Sequence, residues 1–427
     1  MKTGFHLLIF LCIVTAAFSQ DTAQIRQDIR TLCQPAFHGR GYVLEGDRKA
    51  ANWLSHQFED LGLKKFGESY QQRFVLPVQT FPQNPSLRLG KKTLRPGTDF
   101  IPDPATSAGE GALRLLALDT AVFSDADTQK AWLKKDLSRY ALWYTPAEER
   151  KIYELPETLA LHLLRVPLTV IIQENLVFGV AEEPRRLPTL RVRKAVFPSE
   201  NPPKKLRFHI RTQPQPSYTS QNVIAYVEGT ETPEHFIAFS AHYDHLGGWG
   251  ESVYFPGAND NASGTATLLE LARYYAENPP KRSVVFMAFG GEEAGLKGSR
   301  YYVDNPSFPL KNIDFLLNLD LLGTGETGAT LVNGKIHTDA FERLRQLNEE
   351  YDFLPGLKAR GAAPNSDHHF FHLKGVPSFF IYLTTHEPEK LGYHSPDDTP
   401  EKLSLAGVPG LINLLKAFVP TVPVREE

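Results

Sequence analysis

Cysteine is nearly absent from this chain, with two in 427 residues. Cys12 falls inside an apolar N-terminal run, which leaves Cys33 alone in the remainder. No internal disulfide can form there, and no cysteine-based metal or catalytic site can be built. An excess of charge of one sign is missing too: the formal balance is −3, which gives no support to a nucleic-acid partner or an acidic surface. Long apolar runs are also lacking, apart from Phe5 to Phe18. That run follows Lys2, ends on the small residues Ala17 and Ser19, and is shorter than the ~20 apolar residues of a membrane span. Residues 1–19 therefore read as a secretory signal peptide, and the processed chain is expected to be secreted or periplasmic with no membrane span. No internal repeat or low-complexity segment is present.

What remains is ample for two domains. From Gln24 to Leu63, apolar residues such as Ala50, Leu54, Phe58 and Leu61 recur at helical steps, and the helix ends near Gly62. Within this stretch His38-Gly39-Arg40-Gly41 reads as a surface turn. From Tyr70 to Ser217 prolines recur and short β-like runs, Leu113 to Leu118 and Leu168 to Ile172, alternate with charged loops. A helix-like stretch, Thr128 to Arg139, interrupts them. A basic strip of Arg185, Arg186, Arg191, Arg193 and Lys194 reads as a solvated face. From Asn222 onward strand-like runs (Val223 to Val227, Phe236 to Ser240, Ser283 to Phe289, Phe315 to Leu319, Pro377 to Leu383) alternate with helical patterns. The expected fold class is α/β: a mixed, mostly parallel sheet sandwiched by helices, formed by residues 20–70 and 218–427, with residues 71–217 as an inserted β-rich lid.

Polar segments sit where these strands finish, the usual place for a ligand site in such a sheet. His242 follows directly on the strand Phe236 to Ala241, and Asp244, two residues on, shares its face of an extended chain, placed to orient the imidazole. Asp260 lies among small residues before a helix, where backbone can approach an ion closely. Glu292 and Glu293 follow a buried strand and a Gly290-Gly291 break. Adjacent carboxylates repel, so a nearby cation is implied, one carboxylate serving as ligand and the other as general base. Asp320 ends an apolar strand where an unpaired aspartate is costly. His394 lies in a loop between Gly392 and Pro396, free to reach the strand ends. His245 receives no role. Together the segments have the parts of a two-cation centre: a bridging carboxylate, terminal ligands on each side and one carboxylate left to take a proton from water.

Over roughly Asn222 to Leu403 this pattern resembles the M28 family of zinc metallopeptidases, the aminopeptidases with co-catalytic ions and a zinc-dependent exopeptidase fold. The resemblance implies two Zn2+ ions, His242 and Asp320 on one, Glu293 and His394 on the other, and Asp260 as the bridge. It further implies Glu292 as general base, Asp244 as the carboxylate that orients His242, and Tyr393 as a donor to the tetrahedral intermediate. The segment Asn365 to Phe370 matches a family loop near the substrate. The insert lies where several members carry a protease-associated lid domain. The implied activity is hydrolysis of N-terminal residues from peptides with a free amino terminus. Three alternatives keep the fold: a single-zinc glutaminyl cyclase, a dipeptidase or carboxypeptidase with Arg360 as candidate carboxylate holder, and a binding protein without chemistry.

Overall fold

A computed structural model describes residues 22–198 and 200–425. The expected signal peptide lies outside the described residues. Among them, no helix is long and apolar enough to cross a membrane.

The first sheet has eight strands: β1 (Gln71–Thr80), β2 (Gln213–Val227), β3 (Thr232–His242), β4 (Arg282–Phe289), β5 (Ile313–Leu319), β6 (Gly328–Val332), β7 (Leu357–Ala359) and β8 (Ser378–Thr384). Their order across the sheet is β1-β2-β4-β3-β5-β8-β6-β7. The four central strands, β4, β3, β5 and β8, run parallel, and the flanking pairs β1/β2, β2/β4 and β8/β6 are antiparallel. Strand β4 shows why the sheet needs helices on both sides. Val284, Phe286 and Ala288 point into one core while Val285, Met287 and Phe289 point into the other, the two-residue alternation of a strand buried on both faces.

The first core is covered by α1 (residues 22–32), α2 (Gly46–Asp60), α3 (Ser263–Glu277), α5 (Thr338–Tyr351) and α7 (Val408–Phe418), which supply Ile25, Leu54, Leu268, Leu344 and Leu415. The second is covered by α4 (Lys297–Asp304) and α6 (His368–Leu373), through Tyr302 and Phe371. The apolar spacing expected to run from Gln24 to Leu63 is thus two helices, broken by the irregular segment 35–45.

The inserted region forms a second eight-stranded sheet between Ser86 and Ile210. The sequence texture placed its edges at 71 and 217, but β1 and β2 pair with each other in the first sheet. They carry the chain out and back. The insert has helices as well as strands: Ala126–Leu133, Pro146–Ile152 and Glu157–Leu164 cover one face, burying Trp132, Ile152 and Leu163. Its other face, with Leu87, Phe100, Leu190 and Phe208, shares a core with Leu246, Trp249 and Phe255 from the loop after His242. The basic strip is spent internally: Arg186 and Arg191 pair with Glu149 and Asp103, Lys194 with Glu174, and Arg185 with Glu182 and Glu183, while Arg193 donates to the Thr98 carbonyl.

Asp47, at the start of α2, is fully buried and accepts from the Tyr218 hydroxyl at 2.5 Å and Ser220 Oγ at 2.9 Å. Burial pushes its pKa up to about 6, against the pull of those hydrogen bonds. A carboxyl whose folded value lies above its unfolded one binds its proton more tightly when folded. The stability it lends is therefore lost as pH rises through the window from about 4 to 6, by roughly 3 kcal/mol at ~1.4 kcal/mol per pH unit. Denaturant melts of Asp47→Asn and the parent at pH 4 and pH 7 should show that loss in the parent alone; parallel behaviour of the two would refute it.

Candidate metal centre

The carboxyl ends of the central strands deliver the predicted residues to one place. His242 is the last residue of β3, Glu292 and Glu293 follow β4, and Asp320 follows β5. Asp260 arrives on the turn that leads into α3, and His394 on the loop after β8. The small residues around Asp260 are explained by crowding: a Cβ on Gly257 would lie 2.3 Å from both the Asp260 carbonyl and the His245 ring, and one on Gly264 would lie 2.4 Å from the Leu319 carbonyl.

Asp260 is the centre of the arrangement. Its Oδ1 lies 3.3 Å from His242 Nε2, which is also 3.4 Å from Asp320 Oδ1. Its Oδ2 lies 3.1 Å from His394 Nε2, which is also 3.3 Å from Glu293 Oε2. Asp320 Oδ1 is buried with no hydrogen-bond partner, so its approach to His242 is proximity without hydrogen-bond geometry. Ligand atoms about 2.0–2.1 Å from a tetrahedral ion stand roughly 3.3 Å apart, so these donors fit two zinc-type cations that share Asp260.

Each imidazole is fixed from behind by a carbonyl that only accepts: Asp244 O for His242 Nδ1, at 3.2 Å, and Phe178 O for His394 Nδ1, at 2.9 Å. Both rings therefore present Nε2 forward. The Asp244 carboxylate, expected to orient His242, stands 3.8 Å from that nitrogen and instead accepts from the amides of Glu292 (3.1 Å) and Glu293 (3.4 Å). It orients His242 through its backbone and the glutamate pair through its side chain.

Three contributors receive no role from the sequence, although Ser366 lies in the segment that matches a family loop. His245 is fully buried, with Nδ1 2.6 Å from Glu293 Oε1, leaving Oε2 of that carboxylate turned toward His394. Asp398 accepts from the amides of Asn259 and Asp260 at 2.8 and 3.0 Å and so holds the bridge from its backbone. Ser366 donates to Asp320 Oδ2 at 2.9 Å and accepts from Asn318 Nδ2. Arg40 is also no surface residue. Its buried guanidinium donates to the carbonyls of Tyr243, Leu32, Pro256 and Gly257 at 2.6–3.1 Å, tying the loops that carry His242 and Asp260 together. Arg40→Ala is expected to cost about 3 kcal/mol or more, since it strands several buried acceptors. A thermal melt within a degree or two of the parent would contradict this.

The electrostatics follow from crowding acids in a dry place. Burial, and after it the carboxylates of Glu293, Asp367 and Asp320, hold Glu292 well above the ordinary glutamate value, with His242 opposing. Burial also works against the charge of His394, yet Glu293 and Asp260 outweigh it and lift its pKa to about 11. Glu293 stays low, at about 2, because His394 and His245 overcome both burial and Asp260. Glu292 keeps part of its surface open. Tyr393 stacks on the His394 ring at 3.9 Å, half exposed, and burial together with the acids raises its pKa, so it remains a neutral O–H donor. Arg360 donates to the Tyr382 hydroxyl on an exposed edge.

Residues 222–418 match the profile described as Peptidase family M28. They belong to peptidase family M28. Aminopeptidase YwaD of Bacillus subtilis is 34% identical over 199 residues, 44% of this chain and 41% of that protein. A probable leucine aminopeptidase of Trichophyton verrucosum is 30% identical over 192 residues, 43% of this chain and 53% of that protein. The chain thus aligns with about half or less of these relatives' length. Among solved structures, the zinc aminopeptidase BSAP from Bacillus subtilis superposes with a TM-score of 0.69 at 22% identity, over 95% of each chain. A peptidase M28 precursor from Shewanella amazonensis gives 0.66 at 14% identity, over 96% of this chain and 100% of that one. These likenesses cover the insert as well as the M28 domain.

Proposed function

We propose that this chain is a secreted or periplasmic zinc aminopeptidase that removes N-terminal residues from peptides at a two-zinc centre. The observation that carries the reading is Asp260: one carboxylate with an oxygen toward each of two His–carboxylate pairs. A single-zinc cyclase has no use for that division. The curated relatives that are aminopeptidases by name support the same activity.

Two zinc ions held by His242, Asp320, Asp260, Glu293 and His394 would supply Lewis-acid activation of water and of the scissile carbonyl. The rest is done by the chain. Glu292, beside the His242 half, accepts the proton of the attacking water and returns it to the departing amine. Tyr393 donates its phenol hydrogen to the oxygen that gains charge. Asp244 keeps Glu292 and Glu293 aimed through their amides. The insert is a lid whose shared core with Trp249 and Phe255 sets it over the carboxyl end of the sheet.

The test is metal content of the purified protein together with turnover of a panel of aminoacyl amides against N-blocked peptides. Two zincs per chain and cleavage restricted to free amino termini are expected. One zinc with cyclisation of N-terminal glutamine, or cleavage of blocked peptides from the carboxyl end, would overturn the reading.

A further inference from the structure

His394 is held from outside its own domain. The carbonyl that fixes its Nδ1 belongs to Phe178, within the insert, and Phe178 returns its own amide to the His394 carbonyl at 3.0 Å. This reciprocal pair is well anchored. The Phe178 ring stacks on Phe255 with centroids 5.1 Å apart and stands edge-on to Trp249 at 4.9 Å and Phe81 at 5.9 Å. Three residues on, the Ala181 carbonyl accepts from the Gln79 amide at 2.8 Å, and Glu182 pairs with Lys297 of α4 at 2.5 Å. Residues 178–182 thus form a strap tied to the loop after β3, to β1 and to the helix that follows Glu293.

Among the described residues, the other half of the centre has no such tie. His242 Nδ1 donates to the carbonyl of Asp244, two residues away in the same strand extension. The two imidazoles therefore differ in what orients them: one is fixed locally, the other by a part of the chain whose core is largely separate.

We propose that the 178–182 strap is a positioning element for the Glu293/His394 half of the centre. Through the Phe178 carbonyl, the seating of the insert sets the affinity of one metal ion and leaves the other to the M28 domain alone. The inference rests on the two-zinc reading. Loss of an outer partner of a metal-bound histidine typically weakens binding by about 10–100-fold, so the effect is large enough to measure.

Zinc titration of the metal-free full-length chain against a chromophoric chelator tests it. The parent is expected to bind two zincs. Phe178→Ala frees the strap from Trp249 and Phe255, and should weaken one zinc by about tenfold or more and leave the other within about twofold. Phe178→Leu keeps an apolar side chain there and should show the same one-sided loss at reduced size; it carries the test if the alanine variant does not fold. Val166→Ala, in the insert's other core, controls for general loosening and should lower the melting temperature with both affinities kept. Unchanged affinities in folded Phe178 variants, or an equal one-sided loss in Val166→Ala, would overturn the proposal. A parent that binds a single zinc would overturn the two-zinc reading instead.

Discussion

Glu292→Gln should bind zinc like the parent and lose turnover of aminoacyl amides by about a hundredfold or more, the usual contribution of a positioned acid/base group. The substitution keeps the length and shape of the side chain and removes only its ability to accept a proton. The ligating contacts of His242, Asp260, Glu293, Asp320 and His394 run to one another and not through Glu292. Zinc content should therefore stay at two per chain and the Michaelis constant should change little. The nearness of Glu292 to His242 and Asp320, all with ligand atoms within 4.8 Å, sets the competing outcome. If the variant loses a zinc along with activity, Glu292 is a ligand and the general base must be sought elsewhere; retained turnover would remove Glu292 from the chemistry altogether.

Removal of metal should lower the melting temperature by roughly 10 °C or more, and added zinc should restore it. Asp244, Asp260, Glu292, Glu293, Asp320 and Asp367 crowd a buried region whose opposing groups are the imidazoles of His242, His245 and His394. Oδ1 of Asp320, one of the proposed ligand atoms, is buried without a hydrogen-bond partner, a costly state that a cation there relieves. A ligand at a thousand times its dissociation constant stabilises by about 4 kcal/mol, and each kcal/mol moves the midpoint of a domain of 150–250 residues by roughly 2–4 °C. A melt indifferent to chelator would favour the alternative of a binding protein without chemistry. Lower stability that zinc fails to restore would point to irreversible unfolding of the metal-free chain.

Much of this was legible in the sequence because the informative residues sit at the ends of strongly apolar runs. The strands ending at His242, Phe289 and Leu319 announce themselves by hydrophobicity, and the residue after such a run lies at the edge of a parallel sheet whatever the loops do. Residues that act through backbone are harder to see. Asp398 holds Asp260 by its amide, a relation between loops far apart in sequence that no spacing encodes. Arg40 lies in a Gly-flanked strip that reads as a solvated turn, because nothing local reveals that distant carbonyls surround it. The edges of the insert were misplaced for a related reason. Strand β1 is rich in glutamine and contains Pro77, so only its partner β2, far along the chain, shows that it belongs to the first sheet. Asp244 shows a third limit: two residues beyond His242, its carboxylate is expected to orient the ring, yet the hydrogen bond is made by its carbonyl.

The pairing of β1 with β2 also orders events on the ribosome. Thr80 lies opposite Gln213, so the outermost strand of the first sheet emerges early and finds its neighbour only after the whole intervening segment has been translated. That segment has its own helix-covered core and can collapse while the nascent chain is still growing, which brings the two waiting ends together before β2 appears. A released fragment that ends before residue 213 is therefore expected to leave Gln71–Thr80 open to protease, because the strand it pairs with is missing.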